Sequence, residues 1–283
     1  MSELEPRLPA IFLGHGSPME ALGGPYADAW RRLGATLPRP RAVLMISAHW
    51  YIDATAVTAM KAPRTIHDFY GFPEALYQIT YPAPGEPWLA ERATNLLAPV
   101  EVLKDNDWGL DHGAWSVLRH LIPAANVPVV QLSIDRTKPP GFHFEIGRRL
   151  RDLRDEGVLI AGSGDVVHNL RTVSFDDGAQ PYDWAIRFND VVRQAIADHD
   201  WQRLINYAEL GQDALKSIPT PEHYLPLLYT LGAAYDDEPV SFFNDEIAFK
   251  SISMLGVSIG HAQPGGDAVT RHPNWPRPRK VAE

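Results

Sequence analysis

Five histidines stand where an imidazole could do chemistry. His15 lies in Gly14-His15-Gly16-Ser17-Pro18, just after the apolar run 10–13. His49 follows the run 43–48, in Ser47-Ala48-His49-Trp50. His168 closes Gly162-Ser163-Gly164-Asp165-Val166-Val167-His168-Asn169, after the run 158–161. His112 sits in Leu110-Asp111-His112-Gly113-Ala114-Trp115, and His223 in Thr220-Pro221-Glu222-His223-Tyr224-Leu225-Pro226. A neutral imidazole ligates divalent metals and titrates near neutral pH, so such a group can hold a cation or move protons. The chain has no cysteine, so a metal would have to be bound by imidazole and carboxylate. The same count excludes disulfides, iron–sulfur clusters and a cysteine nucleophile.

The elements that must position these residues alternate along the chain. Runs rich in Val, Ile and Leu at 9–13, 41–47, 55–60, 127–134 and 158–161 read as strands, with another at 251–259. Amphipathic stretches at 26–33, 87–97, 114–121, 142–155, 183–198 and 221–231 read as helices. The expected fold is a single α/β domain with a mostly parallel central sheet flanked by helices. His15, His49 and His168 then fall just beyond the C-terminal ends of three strands, where open α/β sheets place their ligand sites. His112 is expected in a loop that enters a helix. His223 is expected in a first helical turn, with Thr220 as N-cap and Pro221 at the first helical position. His67, His120, His143, His199, His261 and His272 carry no such signal and read as structural or surface residues.

The segment 62–87 breaks the alternation with Pro63, Pro73, Pro82, Pro84 and Pro87 among Phe69, Tyr70, Phe72, Tyr77 and Tyr81. It is either a pocket wall or a loop pinned to the surface by its aromatics. The stretch 262–283 is polar and proline-rich and reads as a peripheral C-terminal arm. A neighbouring subunit could order it, which leaves a homo-oligomer open. No second-domain boundary is visible, so 1–283 is expected to form one catalytic domain.

The 283 residues carry a net charge of −9, which argues against broad binding to nucleic-acid phosphates. No apolar run is long enough to span a membrane and no signal-peptide pattern opens the chain, so the expected location is cytoplasmic. Ser17 and Ser163 do not complete a G-x-S-x-G elbow. Gly162-Ser163-Gly164 begins like a dinucleotide loop but lacks its last glycine, and there is no Walker A lysine motif.

Taken together and in order, the five histidine blocks resemble the class III extradiol ring-cleavage dioxygenases, within them the DOPA 4,5-extradiol dioxygenase-like branch. The resemblance runs from residue 14 to 227 and is specific only because the blocks occur together. It implies a non-haem Fe(II) enzyme that opens a catechol-type, DOPA-like ring with O₂; Zn(II) could occupy the site in purified protein. It implies His15, His49 and His223 as metal ligands, with Glu222 the rival of His223. It implies His168 as the acid/base residue and as an additional ligand when no substrate is bound, and His112 as a hydrogen-bonding partner of substrate or oxygen. One stretch departs from the pattern. Plant members that make betalain pigment carry a Pro-containing stretch after the histidine matching His168, where this chain has Asn169-Leu170-Arg171, which argues against DOPA itself as the natural substrate.

Arg171 could pair with a substrate carboxylate or be a solvated surface residue. Two other classes compete with ring cleavage: a zinc metallohydrolase using the same histidines, and a non-enzymatic metal- or ligand-binding relative.

Overall fold

The computed structural model describes residues 7–174, 176, 178–236 and 238–260. The C-terminal arm expected at 262–283, with His261 and His272, lies outside the described residues.

Ten strands run through the described residues. They are β1 (Ala10–Gly14), β2 (Ala42–Ile52), β3 (Ala56–Thr58), β4 (Leu103–Asp105), β5 (Val129–Asp135), β6 (Val158–Gly164), β7 (Val240–Phe243), β8 (Ile247–Ala248), β9 (Ile252–Ser253) and β10 (Gly256–Ile259). Eight form one sheet in the order β4-β3-β5-β2-β6-β1-β10-β7, and β8 and β9 pair separately. The central strands β5, β2, β6 and β1 are mutually parallel. Antiparallel pairing enters only toward the edges, between β3 and β5 and where β10 joins β1 and β7.

The helices are α1 (Pro25–Thr36), α2 (Glu74–Tyr77), α3 (Pro87–Leu97), α4 (His112–Leu121), α5 (Pro140–Leu150), α6 (Asp183–Ala197), α7 (Trp201–Ile205), α8 (Gln212–Ser217) and α9 (Leu225–Gly232). Alternate strand residues feed two cores. Phe12, Leu44, Ile46, Leu132 and Ile160 join residues of α3, α5, α6 and α9 on one face. Ile11, Leu13, Val43, Met45 and Leu159 join residues of α1 and α4 on the other. Burial on both faces explains why these strands read as continuous apolar runs rather than alternating ones. Among the described residues no helix is long and apolar enough to cross a membrane.

Two local expectations are corrected. The strand carrying His49 does not end at Ser47. It continues to Ile52 through an irregularity in which β2 advances from Ile46 to Tyr51 while β5 advances only from Leu132 to Ile134. His49 sits in those extra residues, which bend the strand and aim its side chain at the sheet's C-terminal edge. The second correction concerns His223. Helix α9 begins at Leu225, and residues 219–224 form turns before it. Thr220 does not cap the helix; its hydroxyl donates to the Glu222 carboxylate at 2.8 Å.

Candidate active site

The site grows from the paired ends of β1 and β6. Gly14 and Gly164 stand opposite each other in register, and the His15 N–H donates to the Gly164 carbonyl. His15 and Asp165 therefore leave the sheet side by side. The turn before α9 comes down on the same edge, where the Asp165 N–H donates to the His223 carbonyl. That approach requires glycine at 164, since a Cβ there would stand 2.1 Å from the His223 carbonyl oxygen. Helix α4 brings the next residue. Asp111 caps it, accepting from the Ala114 N–H, and places His112 at its first position. Asp111 is itself fixed by Ser47 Oγ at 2.6 Å and Gln131 Nε2 at 2.7 Å. Gly113 lets this helix end close on β2, because a Cβ there would lie 2.5 Å from Ser47 Oγ.

The five predicted histidines lie together: His15, His49 and His223 stand about one centre, with His112 packed on His49 and His168 on His223. The ring centroids of His15, His49 and His223 form a nearly equilateral triangle, with sides of 5.2, 5.3 and 5.2 Å. The centre of such a triangle lies about 3 Å from each centroid, the distance expected when ring nitrogens bond a divalent ion at about 2 Å. His112 packs on His49 at 3.9 Å between centroids. His168 lies flat on His223 at 3.5 Å.

The proton positions follow from the partners. Ser163 Oγ donates its one hydrogen to the Gly113 carbonyl at 2.6 Å, so it must accept from His15 Nδ1 at 3.0 Å. His15 Nε2 is left with its lone pair. His49 Nδ1 faces Asp68 Oδ2 at 3.2 Å, and His223 Nδ1 bonds Glu222 Oε1 at 3.2 Å. A carboxylate opposite Nδ1 favours the proton on that nitrogen, which frees Nε2 in both rings. His15 Nε2 and His49 Nε2 are 3.3 Å apart, and two nitrogens bonded to one tetrahedral ion at about 2 Å stand roughly 3.3 Å apart. Among the described residues, donor atoms within 4.8 Å of one another form three groups: His15, His49 and His112; His15, Asp165 and His223; and His168, Glu222 and His223. The first two share His15 and the last two share His223, while His49 and His223 fall in different groups; the imidazole and carboxylate donors are of the kind that fits a divalent cation.

The electrostatics agree with that use. Burial, reinforced by neighbouring imidazoles, holds His15, His49 and His223 well below the usual imidazole range, so all three are neutral at neutral pH. Metal ligation needs that form. Burial likewise pushes His168 down to about 4, with Glu222 pulling the other way.

Sequence reasoning missed Asp68. It comes from the proline–aromatic segment and touches two site histidines at once. One oxygen faces His49; the other accepts the His112 backbone N–H at 2.8 Å and lies 3.0 Å from His112 Nδ1, off the line of a hydrogen bond. Burial opposes ionisation of Asp68, but the hydrogen bond from His112 and the imidazoles beside it outweigh burial and hold the carboxyl below its usual range. The same segment supplies Phe69 and Phe72 to the cavity wall, so it is a pocket wall rather than a surface loop. Leu170, Val173, Phe249 and Ile252 complete an apolar rim around the histidines. Arg171 is exposed and is not among the lining residues. Glu222, the rival ligand, accepts from both His223 Nδ1 and the Thr220 hydroxyl on its Oε1. Ser163, which in the sequence is only part of an incomplete elbow, holds His15 through its Nδ1.

Comparison with known proteins gives consistent matches. Residues 10–260 match the family model described as the catalytic LigB subunit of aromatic ring-opening dioxygenase. The chain is 52% identical over 262 residues to a 4,5-DOPA dioxygenase extradiol of Escherichia coli K12, covering 90% of this chain and 95% of that one. It is 36% identical to the 4,5-DOPA dioxygenase extradiol of Beta vulgaris, covering 83% and 90%. The crystal structure of an uncharacterized Escherichia coli K12 protein superposes with a TM-score of 0.78 at 47% identity, covering 90% of this chain and all of that one.

Proposed function

The chain belongs to the family of the catalytic LigB subunit of aromatic ring-opening dioxygenases, in its DOPA 4,5-extradiol dioxygenase-like branch, and from that premise we propose the following reaction. The enzyme is an extradiol dioxygenase: it breaks the ring bond beside the diol of a DOPA-like catechol, and both atoms of O₂ enter the product. The metal is Fe(II), held by His15, His49 and His223. The family match over 10–260 supports reading 1–283 as one catalytic domain.

One observation carries this reading. Three imidazoles from distant parts of the chain have Nδ1 engaged, by Ser163, Asp68 and Glu222, and their ring centroids form a nearly equilateral triangle. A hydrogen-bonding role for Nδ1 that leaves Nε2 for the metal is the usual arrangement around a ligating histidine. Bound there, iron(II) would supply a redox-active centre where a singlet catechol and triplet dioxygen can react, chemistry that no side chain offers.

The remaining work falls to the chain. His168 is the base. Its ring is neutral at neutral pH, lines the cavity and stacks on His223, so it can accept a catechol hydroxyl proton at a ring nitrogen and later return it to a product oxygen. Stacked, nearly parallel rings cannot both aim in-plane lone pairs at one ion, which favours His168 as proton carrier over ligand. His112 borders the same cavity with its Nδ1 side turned to Asp68, so its other nitrogen can hydrogen-bond a substrate or oxygen atom. Phe69, Phe72 and Ile252 shield the reacting ring from water.

The test is incubation of Fe(II)-loaded protein with a panel of catechols. The reading expects O₂ uptake matched one-to-one by a yellow ring-opened product, and none without O₂. Turnover that persists anaerobically would point to hydrolysis and overturn it.

A further inference from the structure

The imidazole triad leaves one neighbouring carboxyl group unexplained. Asp165 is 1% exposed, and its two oxygens have different surroundings. Oδ1 accepts the Gly16 N–H at 3.0 Å, which ties the turn after β1 to the turn after β6. Oδ2 is buried with no hydrogen-bond partner. A buried carboxylate oxygen without a partner is costly, and such groups are paired or coordinate metals in folded proteins. This oxygen lies 3.6 Å from His15 Nε2, the nitrogen that carries a free lone pair. The His15 and Asp165 atoms, together with one from His223, fall within 4.8 Å of one another. Two atoms that both bond a tetrahedral ion at about 2 Å stand roughly 3.3 Å apart.

We propose that Asp165 is the anionic partner of the metal centre, its Oδ2 contacting the cation held by His15, His49 and His223. The inference rests on the metal-site reading above and adds a fourth protein contact to it. Three neutral imidazoles leave a dication's full charge in a buried site. One carboxylate halves that charge, so it strengthens cation binding and moderates the pull on a bound catecholate. The position was not evident in sequence, since Asp165 sits in a glycine-flanked turn that reads as a backbone feature.

The experiment is Co(II) titration of metal-free protein, wild type against Asp165→Asn, followed by visible absorption and chelator competition. Asparagine keeps an acceptor for the Gly16 N–H and removes only the charge, so the fold is expected to survive; the melting temperature of the metal-free variant checks this. We expect at least a tenfold weaker Co(II) affinity and a shifted d–d spectrum in the variant. Asp165→Glu should keep the charge yet fail to restore the wild-type spectrum, because the longer side chain cannot keep both oxygens in place. An Asp165→Asn spectrum and affinity identical to wild type would overturn the inference and leave the histidine site standing. Failure of the wild-type chain to bind Co(II) at all would instead overturn the metal-site reading.

Discussion

The imidazole of His168 lies flat against that of His223, with 3.5 Å between ring centroids and 9° between planes. A histidine bonds a metal through a lone pair in its ring plane, so this pair divides its labour. His223 holds Nδ1 on Glu222, which leaves its other nitrogen for a metal, and its ring centroid lies 5.3 Å from that of His15. His168 keeps an independent nitrogen beside it. His168→Ala should therefore retain metal and bind catechol with little change while kcat falls about 10²- to 10⁴-fold. His223→Ala should lose the metal. Metal content after dialysis and single-turnover kinetics separate the two outcomes, and a His168→Ala enzyme at wild-type rate would remove it from the reaction.

Asp68 sits between His49 and His112 and aligns both. Asp68→Asn removes the charge that favours the Nδ1 proton on His49. Metal affinity should drop about 10- to 100-fold with the fold intact. Isothermal titration with Zn(II) measures it, and unchanged affinity would mean that His49 is oriented by packing alone.

Glu20 gives a pH prediction away from the histidines. Burial pushes its carboxyl up to about 7. The native state then holds a proton that the unfolded chain releases near the ordinary carboxylate range, so native protein binds more protons between about 4.5 and 7. The sign follows: stability falls as pH rises through this window, and the full penalty remains above it. Glu20→Gln should flatten the fall and raise the melting temperature at pH 8 more than at pH 5. The difference is on the order of 2 kcal/mol. Equal pH profiles for the two proteins would contradict it.

Gly164 tests the packing that brings the His223 turn onto β6. Gly164→Ala places a methyl group against the His223 carbonyl, and backbone cannot yield as a flexible side chain does. The variant should lose about 1–3 kcal/mol of stability and bind metal more weakly than wild type. Denaturant unfolding and metal titration read both effects. A stable variant with normal affinity would show that the turn can shift without moving the ligand.

Much of this was legible in the sequence because the site is built on backbone punctuation. Glycine-flanked turns after apolar runs located His15 and His168, and the paired ends of β1 and β6 place His15 and Asp165 side by side. His49 was found for a partly wrong reason, since its strand continues past it and a register irregularity aims it. The start of α9 was misplaced because Thr220-Pro221 carries strong cap chemistry, but Thr220 turns its hydroxyl to Glu222 instead. Asp68 was invisible. It lies among prolines with no periodicity to exploit, and its contact with His112 spans 44 residues of chain. Partnerships of that kind depend on the closed fold, not on local pattern. Ser163 was weighed as a nucleophile and is instead the acceptor that fixes the His15 tautomer.

The most direct test of the central claim is anomalous diffraction from a crystal of the chain loaded with one equivalent of Fe(II) under anaerobic conditions. The account predicts a single strong iron peak bonded to Nε2 of His15, His49 and His223. An iron peak at His168 and Glu222 instead, or no ordered iron beside His15, would contradict it.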